Sequence, residues 1–392
     1  MSFGRMPIAN GFLMPEQFQE EYFFELKAGF CPICTMVQLT EHIERERMFH
    51  ENYPFFSSTS AFMATHFKKF AEEVSANYLK DPAPFVVEIG SNDGIMLQHF
   101  ANKGIPHLGI EPSANVAQVA RERGVNTLTT FFDGAVARKV VAEYGQADAC
   151  LGANVLCHIP YLDSVVAGIQ VLLKANGVLI FEDPYLGDVI EKTAYDQIYD
   201  EHAFYFSLSS LSYLFGQHGL ELVDVQPQWV HGGSMRYVFA HKGSRRVSES
   251  VTKQRAKENA LGLYGPKTYG RFRQKVERSR DDLVRLLREL KRQGKRVVGY
   301  AATSKSTTVT NYCGLTPELI EYISDTTAVK QGKVSPGAHI PIRPYEEFKA
   351  SYPDYALLFG WNHLEEIMAK EQAFKTSGGK WIVYVPKVQV LE

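Results

Sequence analysis

The 392-residue sequence has few cysteines, no long hydrophobic run and no excess of basic charge. No apolar stretch reaches about 18 residues, so we expect no transmembrane helix, and the first residues lack the apolar core of a signal peptide. A formal net charge of −2 gives no indication of a nucleic-acid partner. Five cysteines in a chain of this length are typical of a reducing compartment. We therefore expect a cytoplasmic protein without membrane or nucleic-acid partners.

The sequence also lacks the G-x-G-x-x-G fingerprint of dinucleotide-binding folds. In its place an apolar run leads into Glu88-Ile89-Gly90-Ser91-Asn92-Asp93-Gly94, where Asn92 stands at the position of the second glycine. An apolar strand, a turn with two glycines and a helix-compatible run are typical of the first βα step of a nucleotide-binding unit. An acidic residue followed by G-x-x-x-G suits S-adenosylmethionine (SAM), which has no pyrophosphate and carries a charged amino-acid tail.

The next predicted strand supports this interpretation. The segment 108–112 is a short apolar run that ends in Glu111-Pro112, and a carboxylate there can accept hydrogen bonds from both ribose hydroxyls. The alternative is that Glu111 is an ordinary carboxylate at a strand end. Combining both turns, we predict the following cofactor-binding residues: Glu88, Gly90, Asn92, Asp93, Glu111, Pro112, Ser113, Phe132 and Asn154.

Apolar strands alternate with helical stretches after residue 85. Strands are predicted at 85–89, 107–111, 125–129, 147–152, 177–182 and 220–225, which favours a mostly parallel sheet with ligand-binding loops at the carboxyl ends of its strands. A helix is predicted over 61–78. A long amphipathic helix is predicted from about Thr268 to Gln293, with Val276, Leu283, Leu286, Leu287 and Leu290 on its apolar face.

The N-terminal stretch has only one Cys-x-x-Cys pair, Cys31 and Cys34. This spacing lets two thiolates bind one Zn²⁺, but a structural zinc site needs four ligands and the sequence has no second pair. The pair is therefore either half of a site or two small apolar residues. An aromatic, hydroxyl-rich loop follows, in which Tyr53 either fills a domain junction or reaches a substrate.

The segment 195–207 carries the densest set of reactive side chains. His202 lies beside Glu201 and three residues after Tyr199, and an imidazole oriented by a carboxylate can act as a general base near neutral pH. His158, in the loop after the fourth strand, is predicted to meet it across the crevice. The alternative is a histidine with a purely structural role.

A second α/β unit begins at residue 295. The strand–turn–helix segment 295–307 contains several hydroxyls and Lys305, which suits a phosphate at a helix N-terminus. The alternative is a plain βα turn. The predicted substrate-binding residues of this unit are Ser304, Lys305, Thr307, Asp325 and Lys330.

These patterns together predict an α/β fold with four parts. They are an N-terminal, zinc-knuckle-like lobe (1–80), a central SAM-type Rossmann-like methyltransferase domain (81–242), a linker with a long helix (243–294) and a second Rossmann-like domain (295–392). The central domain would bind SAM and the C-terminal domain a phosphorylated partner.

The order of motifs along the whole chain resembles one family. The motifs are E-x-G-x-N-D-G, IEPS, ANVLCHIPY, FEDPYLGD, YDQIYDEH, VHGG, GYAATSK, DTTAVKQ, PGAHIP and WNH. This order is similar to that of the C-methyltransferases of nucleotide-linked deoxysugars, and in particular to the C3-methyltransferases of the tetronitrose pathway. The resemblance implies methyl transfer from SAM to the carbon beside the keto group of a dTDP-linked 4-keto-6-deoxysugar.

The resemblance also implies roles for individual residues. His202 is the implied base, Tyr199 and Glu201 shape or orient it, His158 matches a second active-site histidine, and Tyr53 matches the tyrosine of an aromatic loop. In the C-terminal unit, Ser304, Lys305 and Lys330 are the implied phosphate contacts. Two alternatives stay open, O- or N-methylation of a nucleotide sugar and a non-catalytic protein that binds SAM or a nucleotide sugar. Neither the sugar nor the oligomeric state follows from the sequence.

One departure from the family concerns zinc. Members carry a first Cys-x-x-Cys that completes a four-cysteine site with the pair matching Cys31 and Cys34, whereas this sequence starts after the position of that first pair. A misassigned start codon, a truncated sequence and loss of zinc each explain the difference. The expected metal ligands are therefore Cys31 and Cys34 in an incomplete site.

Overall fold

The structure is a computed structural model that describes residues 1–44, 57–59 and 61–392. These residues form three β-sheets, of four, seven and six strands, with helices packed around them. The predicted α/β fold with two Rossmann-like units is confirmed. Within the described ranges, no helix combines the length and apolarity that a membrane crossing requires.

The N-terminal lobe is built on a small antiparallel sheet. Its first strands are β1 (Ser2–Pro7), β2 (Phe23–Phe30) and β3 (Val37–Leu39). Along β2, Phe24, Leu26 and Ala28 are buried whereas Glu25 and Lys27 are exposed. This alternation is the period of two that a half-buried strand requires, and it fixes which face of the sheet meets the core.

The central domain is organised around the seven-stranded sheet. The strands in this part of the chain are β4 (Val86–Ile89), β5 (His107–Ile110), β6 (Thr127–Leu128), β7 (Ala147–Ala153), β8 (Leu173–Pro184), β9 (Phe204–Tyr205), β10 (Leu220–Gln228) and β11 (Ser234–His241). All but β9 belong to this sheet, in the order β10-β11-β8-β7-β4-β5-β6, and β4 to β8 run parallel. The strand order reverses between β4 and β7, where open α/β sheets bind ligands.

Helices cover this sheet, and two of them begin at capping side chains. The helices are α1 (Ala61–Asn77), α2 (Gln98–Ala101), α3 (Ala114–Glu122), α4 (Gly134–Tyr144), α5 (Leu162–Leu172), α6 (Leu186–Lys192) and α7 (Leu208–Gln217). At the start of α4, Asp133 Oδ1 accepts the N–H groups of Ala135 and Val136, both at 2.8 Å. At the start of α7, the hydroxyls and N–H groups of Ser207 and Ser210 cap one another. These caps satisfy amides that have no partner within the helix.

Strand β9 leaves the central domain and completes the N-terminal sheet. It pairs antiparallel with β3, through Val37 opposite Tyr205 and Gln38 opposite Phe204. Because β9 follows His202 by one residue, the sheet of the N-terminal lobe holds the downstream end of the predicted catalytic segment.

The C-terminal part repeats the Rossmann plan. Its elements are α8 (Glu249–Leu261), α9 (Pro266–Arg292), β12 (Val297–Tyr300), α10 (Ser304–Tyr312), β13 (Ile323–Asp325), β14 (Ile342–Pro344), α11 (Tyr345–Ala350), β15 (Tyr355–Leu358), α12 (Leu364–Lys370), α13 (Gln372–Thr376), β16 (Lys380–Val383) and β17 (Gln389–Leu391). The strand order is β14-β13-β12-β15-β16-β17, parallel except for β17. A second ligand crevice therefore lies between β12 and β15.

One hydrophobic cluster joins the three parts of the chain. The predicted apolar face of α9 is buried in it, with Leu286 at its edge. The same cluster contains Leu26 of the N-terminal lobe, Tyr195 and Ile198 of the catalytic segment, and Val297 of the C-terminal domain. The predicted catalytic segment, residues 195–207, is thus packed into the interface between the two flanking parts.

Candidate active site

The turn after β4 approaches its neighbours closely. Gly90 and Gly94 have φ angles of +67° and +77°, and a Cβ on Gly90 would lie 2.5 Å from Cγ2 of Val155. Only glycine fits that position. Asn92 also has a positive φ, of 47°, a conformation that asparagine tolerates better than most residues.

Glu111 joins this turn to the end of β5. Its Oε2 accepts the N–H of Asn92 at 3.0 Å and its Oε1 the N–H of Ser113 at 2.8 Å. Ser113 and Phe132 are buried and Pro112 is half-buried. The carboxylate proposed to bind the ribose therefore also fixes the two turns that border the crevice.

Three carboxyl groups concentrate negative charge at this point. Burial raises the pKa of Glu88 well above its usual range, and the charges of Glu111 and Asp93 raise it further. Oε2 of Glu88 has no hydrogen-bond partner among the described residues. Of the three carboxyl groups, Asp93 forms an ion pair with Arg123, at 3.2 Å. A ligand with positive charge would relieve this repulsion. SAM carries a sulfonium and an ammonium group, so the residues present fit it.

Asn92 and Asp93 also hold a second segment of the chain. Asn92 Oδ1 accepts the N–H of Ser57 at 3.0 Å, and Asp93 Oδ2 accepts both the N–H and the hydroxyl of Ser58. Arg123 donates to the Ser58 hydroxyl at 2.9 Å. This latch gives a physical reason for asparagine, rather than glycine, at position 92.

Asn154 lies across the crevice, in the loop after β7. Its N–H donates to the carbonyl of Glu182 at 2.7 Å and its φ is 54°. Its side-chain amide lies 3.2 Å from His231 Nε2. Because the amide nitrogen is a donor, Nε2 of His231 is the acceptor. Burial lowers the pKa of His231 to about 4, and the charge of Lys305 acts in the same direction.

His202 is held at both ring nitrogens. Nδ1 lies 2.8 Å from the carbonyl oxygen of Gln197, which can only accept, so Nδ1 carries the proton. Nε2 therefore accepts the hydroxyl hydrogen of Tyr199 at 2.8 Å. In the tautomer that results, the basic nitrogen Nε2 faces Tyr199. The Tyr199 side chain is partly exposed.

Two histidines lie close together and both are neutral at neutral pH. The ring centroids of His158 and His202 are 5.1 Å apart, and Cys157 lies beside them. Burial lowers the pKa of His158 to about 4 and that of His202 well below its usual range. A neutral imidazole is the form that can accept a proton.

Glu201 does not orient His202 as the sequence suggested. Its Oε1 accepts the side-chain amide of Asn10 at 2.7 Å, and the adjacent Asp200 accepts the N–H of Ala9 at 3.0 Å. Burial raises the pKa of Glu201 above its usual range. Neighbouring side chains of a loop point in different directions, so the carboxylate meets the N-terminal lobe while the backbone of Gln197 orients the imidazole.

Two lysines of the C-terminal domain lie near the catalytic segment. Lys305 is 9% exposed and donates to Asn362 Oδ1 at 2.9 Å; burial lowers its pKa. Lys330 donates to the carbonyl of Ala302 at 2.8 Å, and burial lowers its pKa too, opposed by the charges of Asp325 and Glu201. Both cations are therefore poorly solvated, which favours an anionic ligand.

The other predicted substrate residues have partners that differ from the expectation. The Thr307 hydroxyl donates to the carbonyl of Ala9 at 2.8 Å and so ties α10 to the N-terminal lobe. Asp325 accepts the N–H groups of Ala302 and Thr327, both at 2.7 Å. Ser304 is half-buried at the first position of α10.

Several residues of the site were not predicted. Asp196 is completely buried and accepts hydrogen bonds from Trp361 and Tyr384. Glu182 is bound by His66 at 2.8 Å and by two nitrogens of Arg236 at 3.0 and 3.1 Å. Asp196, Glu182 and Trp361 stand in motifs that the sequence singles out, but their contacts join segments far apart in the chain.

The expected zinc ligands form a local pair. Hydrogen bonds from the backbone of Cys34 and of Ile33 lower the pKa of the Cys31 thiol, whereas burial raises that of Cys34. Among the residues that the structure describes, the one group of three or more potential metal ligands is Cys157, His158 and His202, which does not include this pair. The described residues therefore offer two of the four ligands that a structural zinc site needs. Tyr53 lies outside the described residues.

Comparison with known proteins agrees with this geometry. Three family models match in succession: a "Putative zinc binding domain" over residues 1–49, a "Methyltransferase domain" over 60–225 and a "C-methyltransferase C-terminal domain" over 229–386. The C-methyltransferase NovU of Streptomyces niveus is 35% identical over 394 aligned positions, which cover 100% of this chain and 93% of NovU.

Two remotely similar solved structures each match about half of the chain. The magnesium protoporphyrin IX methyltransferase ChlM of Synechocystis, with bound SAH, covers 46% of this chain and 83% of its own at 14% identity and a TM-score of 0.36. A SAM-dependent methyltransferase of Clostridium acetobutylicum covers 46% and 92% at 12% identity and a TM-score of 0.37. With 35% identity to a C-methyltransferase over its whole length, and with methyltransferase and C-methyltransferase domains in succession, the chain belongs to the SAM-dependent C-methyltransferase family.

Proposed function

We propose that this enzyme transfers the methyl group of SAM to C3 of a nucleotide-linked 4-keto-6-deoxysugar, with dTDP as the nucleotide. The observation that carries the proposal is the state of His202, a buried, neutral imidazole whose Nε2 is an acceptor. Its ring centroid lies 5.1 Å from that of His158, in the loop whose Val155 packs against Gly90 of the proposed SAM-binding turn. The relative NovU is itself a C-methyltransferase, which favours a carbon acceptor over oxygen or nitrogen.

Methylation at C3 requires a base because a sugar C–H is not nucleophilic. In the proposed reaction, Nε2 of His202 takes the C3 proton, and the C–H electron pair forms a C3–C4 double bond while negative charge develops on O4. SAM would supply the methyl group for the new bond to C3, its sulfur would keep the electron pair of the broken S–CH₃ bond, and the C4 carbonyl would re-form. Tyr199 must release Nε2 for this step, and its hydroxyl is then free to donate to the developing negative charge on O4.

The remaining active-site residues have supporting roles in this proposal. His158 extends the polar surface next to His202, and Glu201 fixes the catalytic segment against the N-terminal lobe. Tyr53, which lies outside the described residues, is assigned to the active site by family resemblance alone. The proposed cofactor site is formed by Glu88, Gly90, Asn92, Asp93, Glu111, Pro112, Ser113, Phe132 and Asn154, of which the carboxylates favour a cationic ligand.

We assign the nucleotide diphosphate to the C-terminal domain. Lys305 and Lys330 supply positive charge in a poorly solvated setting, and Ser304 lies at the N-terminus of α10, where free N–H groups and the helix dipole favour an anion. Asp325 lies at the end of β13, and Thr307 supports the site from behind through Ala9.

Hydrogen exchange at C3 tests the proposal. Enzyme, SAM and dTDP-4-keto-6-deoxyglucose are incubated in D₂O, and loss of the C3 proton and gain of a C-methyl group are followed by NMR. His202→Asn should lower both rates by about 10²- to 10⁴-fold, because a general base contributes on that order. His218→Asn is the matched control, since His218 pairs with Asp163 at the surface.

Two results would count against the proposal. Full activity of His202→Asn would remove His202 from the role of base. A methylated product that keeps its C3 proton, or that carries the methyl group on an oxygen, would show that the acceptor is not an enolised C3.

A further inference from the structure

Asp196 lies in the catalytic segment but makes its contacts with the C-terminal domain. Its side chain is completely buried, and its Oδ2 accepts hydrogen bonds from Trp361 Nε1 at 2.6 Å and from the Tyr384 hydroxyl at 2.7 Å. Trp361 begins the W-N-H motif, which has no role in the proposed reaction. Two donors from the C-terminal domain thus bind the same carboxylate oxygen, Oδ2 of Asp196.

The residue after Asp196 orients the proposed base. The backbone carbonyl of Gln197 accepts the Nδ1–H of His202 at 2.8 Å, and the side-chain amide of Gln197 donates to the carbonyl of His231. The ring of Trp361 packs on Gly232, where a Cβ would lie 2.5 Å from the indole. The turn that carries Asp196 and Gln197 is therefore held between the His231–Gly232 backbone and Trp361.

A buried carboxylate at this position is costly. Burial raises the pKa of Asp196, and its Oδ1 has no hydrogen-bond partner among the described residues. Removing a charged group from water costs free energy that a well-packed apolar side chain would not. The charge of Lys305 and the hydrogen bonds from Tyr384 and Trp361 offset part of this cost. The carboxylate also fixes the peptide whose carbonyl selects the tautomer of His202.

We propose that Asp196 is a positioning residue for His202, through which Trp361 and Tyr384 of the C-terminal domain hold the imidazole in its Nδ1–H form. The inference rests on the proposed role of His202 as the base. It makes the C-terminal domain part of the machinery that sets the base, in addition to any nucleotide that the domain binds.

The test uses variants that delete donors but keep aromatic rings. They are Trp361→Phe, Tyr384→Phe and the double variant. Tyr345→Phe is the matched control, because the Tyr345 hydroxyl donates to Glu371 at 3.0 Å within the same domain and has no contact with the catalytic segment among the described hydrogen bonds. Thermal unfolding and SAM titration of each variant verify folding and an intact cofactor site.

The first measurement is NMR of enzyme labelled with ¹⁵N-histidine. The His202 signals are identified by their loss in His202→Asn. Wild type and Tyr345→Phe should show one protonated and one unprotonated ring nitrogen for His202. In the double variant, the two signals should move toward each other as both tautomers become populated. Unchanged His202 signals in the double variant would overturn the inference, whatever the activity.

The second measurement is C3 hydrogen exchange of dTDP-4-keto-6-deoxyglucose. The exchange rate of the double variant should fall by about 10- to 100-fold, because a displacement of about 1 Å can cost on the order of 10²-fold. The SAM dissociation constant should stay within about threefold. A wild-type rate in the double variant would overturn the inference.

The two measurements also separate this inference from the proposed function. If wild type exchanges no keto-sugar proton but the His202 tautomer shifts in the double variant, the positioning role stands and the proposed acceptor is wrong.

Discussion

At the scale of single residues, the proposed reaction depends on an imidazole that stays unprotonated. Burial lowers the pKa of His202 well below its usual range, and the nearby His158 acts in the same direction. Both effects exist because protonating one of these rings would place a charge in a poorly solvated pocket. Only the hydrogen bond to the Gln197 carbonyl opposes them.

The pH dependence of proton abstraction follows from this state. A base with a lowered pKa remains active as the pH falls through 6.5, the usual value for histidine, and loses activity only in more acidic solution. The C3 exchange rate at saturating substrate, measured from about pH 5 to about pH 9, should therefore be flat through 6.5. A midpoint near 6.5 would show that His202 is solvated in the working enzyme.

Asp183 gives a separate, stability-based prediction. Burial raises its pKa from 3.8 to about 7. Between these values the folded state holds a proton that the unfolded state has lost, so stability falls as the pH rises through this window and levels off above it. Asp183→Asn, which mimics the protonated form, should remove this dependence. The difference in unfolding free energy, wild type minus variant, should fall by about 1 kcal/mol per pH unit across the window.

Thermal or urea unfolding of both proteins at several pH values provides the measurement. Because His158 and His231, with pKa values of about 4, titrate in both proteins, their opposite contribution cancels in the difference. Parallel stability profiles would contradict the raised pKa of Asp183.

At the scale of elements, the latch couples the proposed SAM-binding turn to the segment before α1. It is formed by Asn92, Asp93, Ser57, Ser58 and Arg123. Asn92→Gly removes the acceptor for Ser57 but suits the positive φ. The SAM dissociation constant should therefore change by less than about threefold, while methyl transfer should slow by about fivefold, since one hydrogen bond is worth about 1 kcal/mol. Ser58→Ala should behave similarly.

Measuring the SAM dissociation constant and the turnover rate of each variant shows whether the latch serves methyl transfer or cofactor binding. Ser75→Ala is the control, because that hydroxyl bonds only within α1, to the carbonyl of Ala71. Equal losses of SAM affinity and turnover in Asn92→Gly would mean that Asn92 serves the cofactor directly.

Strands and helices could be predicted from the sequence where their pattern lies in neighbouring residues. The predicted strands 85–89, 107–111 and 147–152 correspond to β4, β5 and β7, and the predicted helix from Thr268 to Gln293 corresponds to α9. An apolar run or an amphipathic face is a property of neighbouring residues, so it can be recognised without the fold.

Contacts between distant segments could not be recognised in this way. Strand β9 is two residues long and pairs with β3, more than 160 positions earlier, so no local pattern marks it. Glu201 stands next to His202 in the sequence, yet its side chain bonds Asn10. Asp196 was visible as part of a motif, but its role depends on donors from the C-terminal domain.

At the scale of the whole molecule, the catalytic segment is held from two sides. The N-terminal lobe contributes Ala9 and Asn10, which bind Asp200 and Glu201. The C-terminal domain contributes Trp361 and Tyr384 to Asp196, and Thr308 to the carbonyl of Ile198 at 2.9 Å. Both flanking parts thus fix a segment that belongs by sequence to the SAM-binding domain.

Asn10→Ala tests whether the N-terminal lobe belongs to this catalytic unit. The change leaves the buried Glu201 without the hydrogen bond that lowers its pKa, so the folded state should lose about 1 to 3 kcal/mol and C3 exchange should slow. Gln17→Ala is the matched control in the same lobe, since Gln17 bonds only the backbone of Met14 at an exposed site. If both variants unfold and exchange alike, the lobe is independent of the site. A loss confined to Asn10→Ala would show that a side chain of the lobe maintains the segment that carries the base.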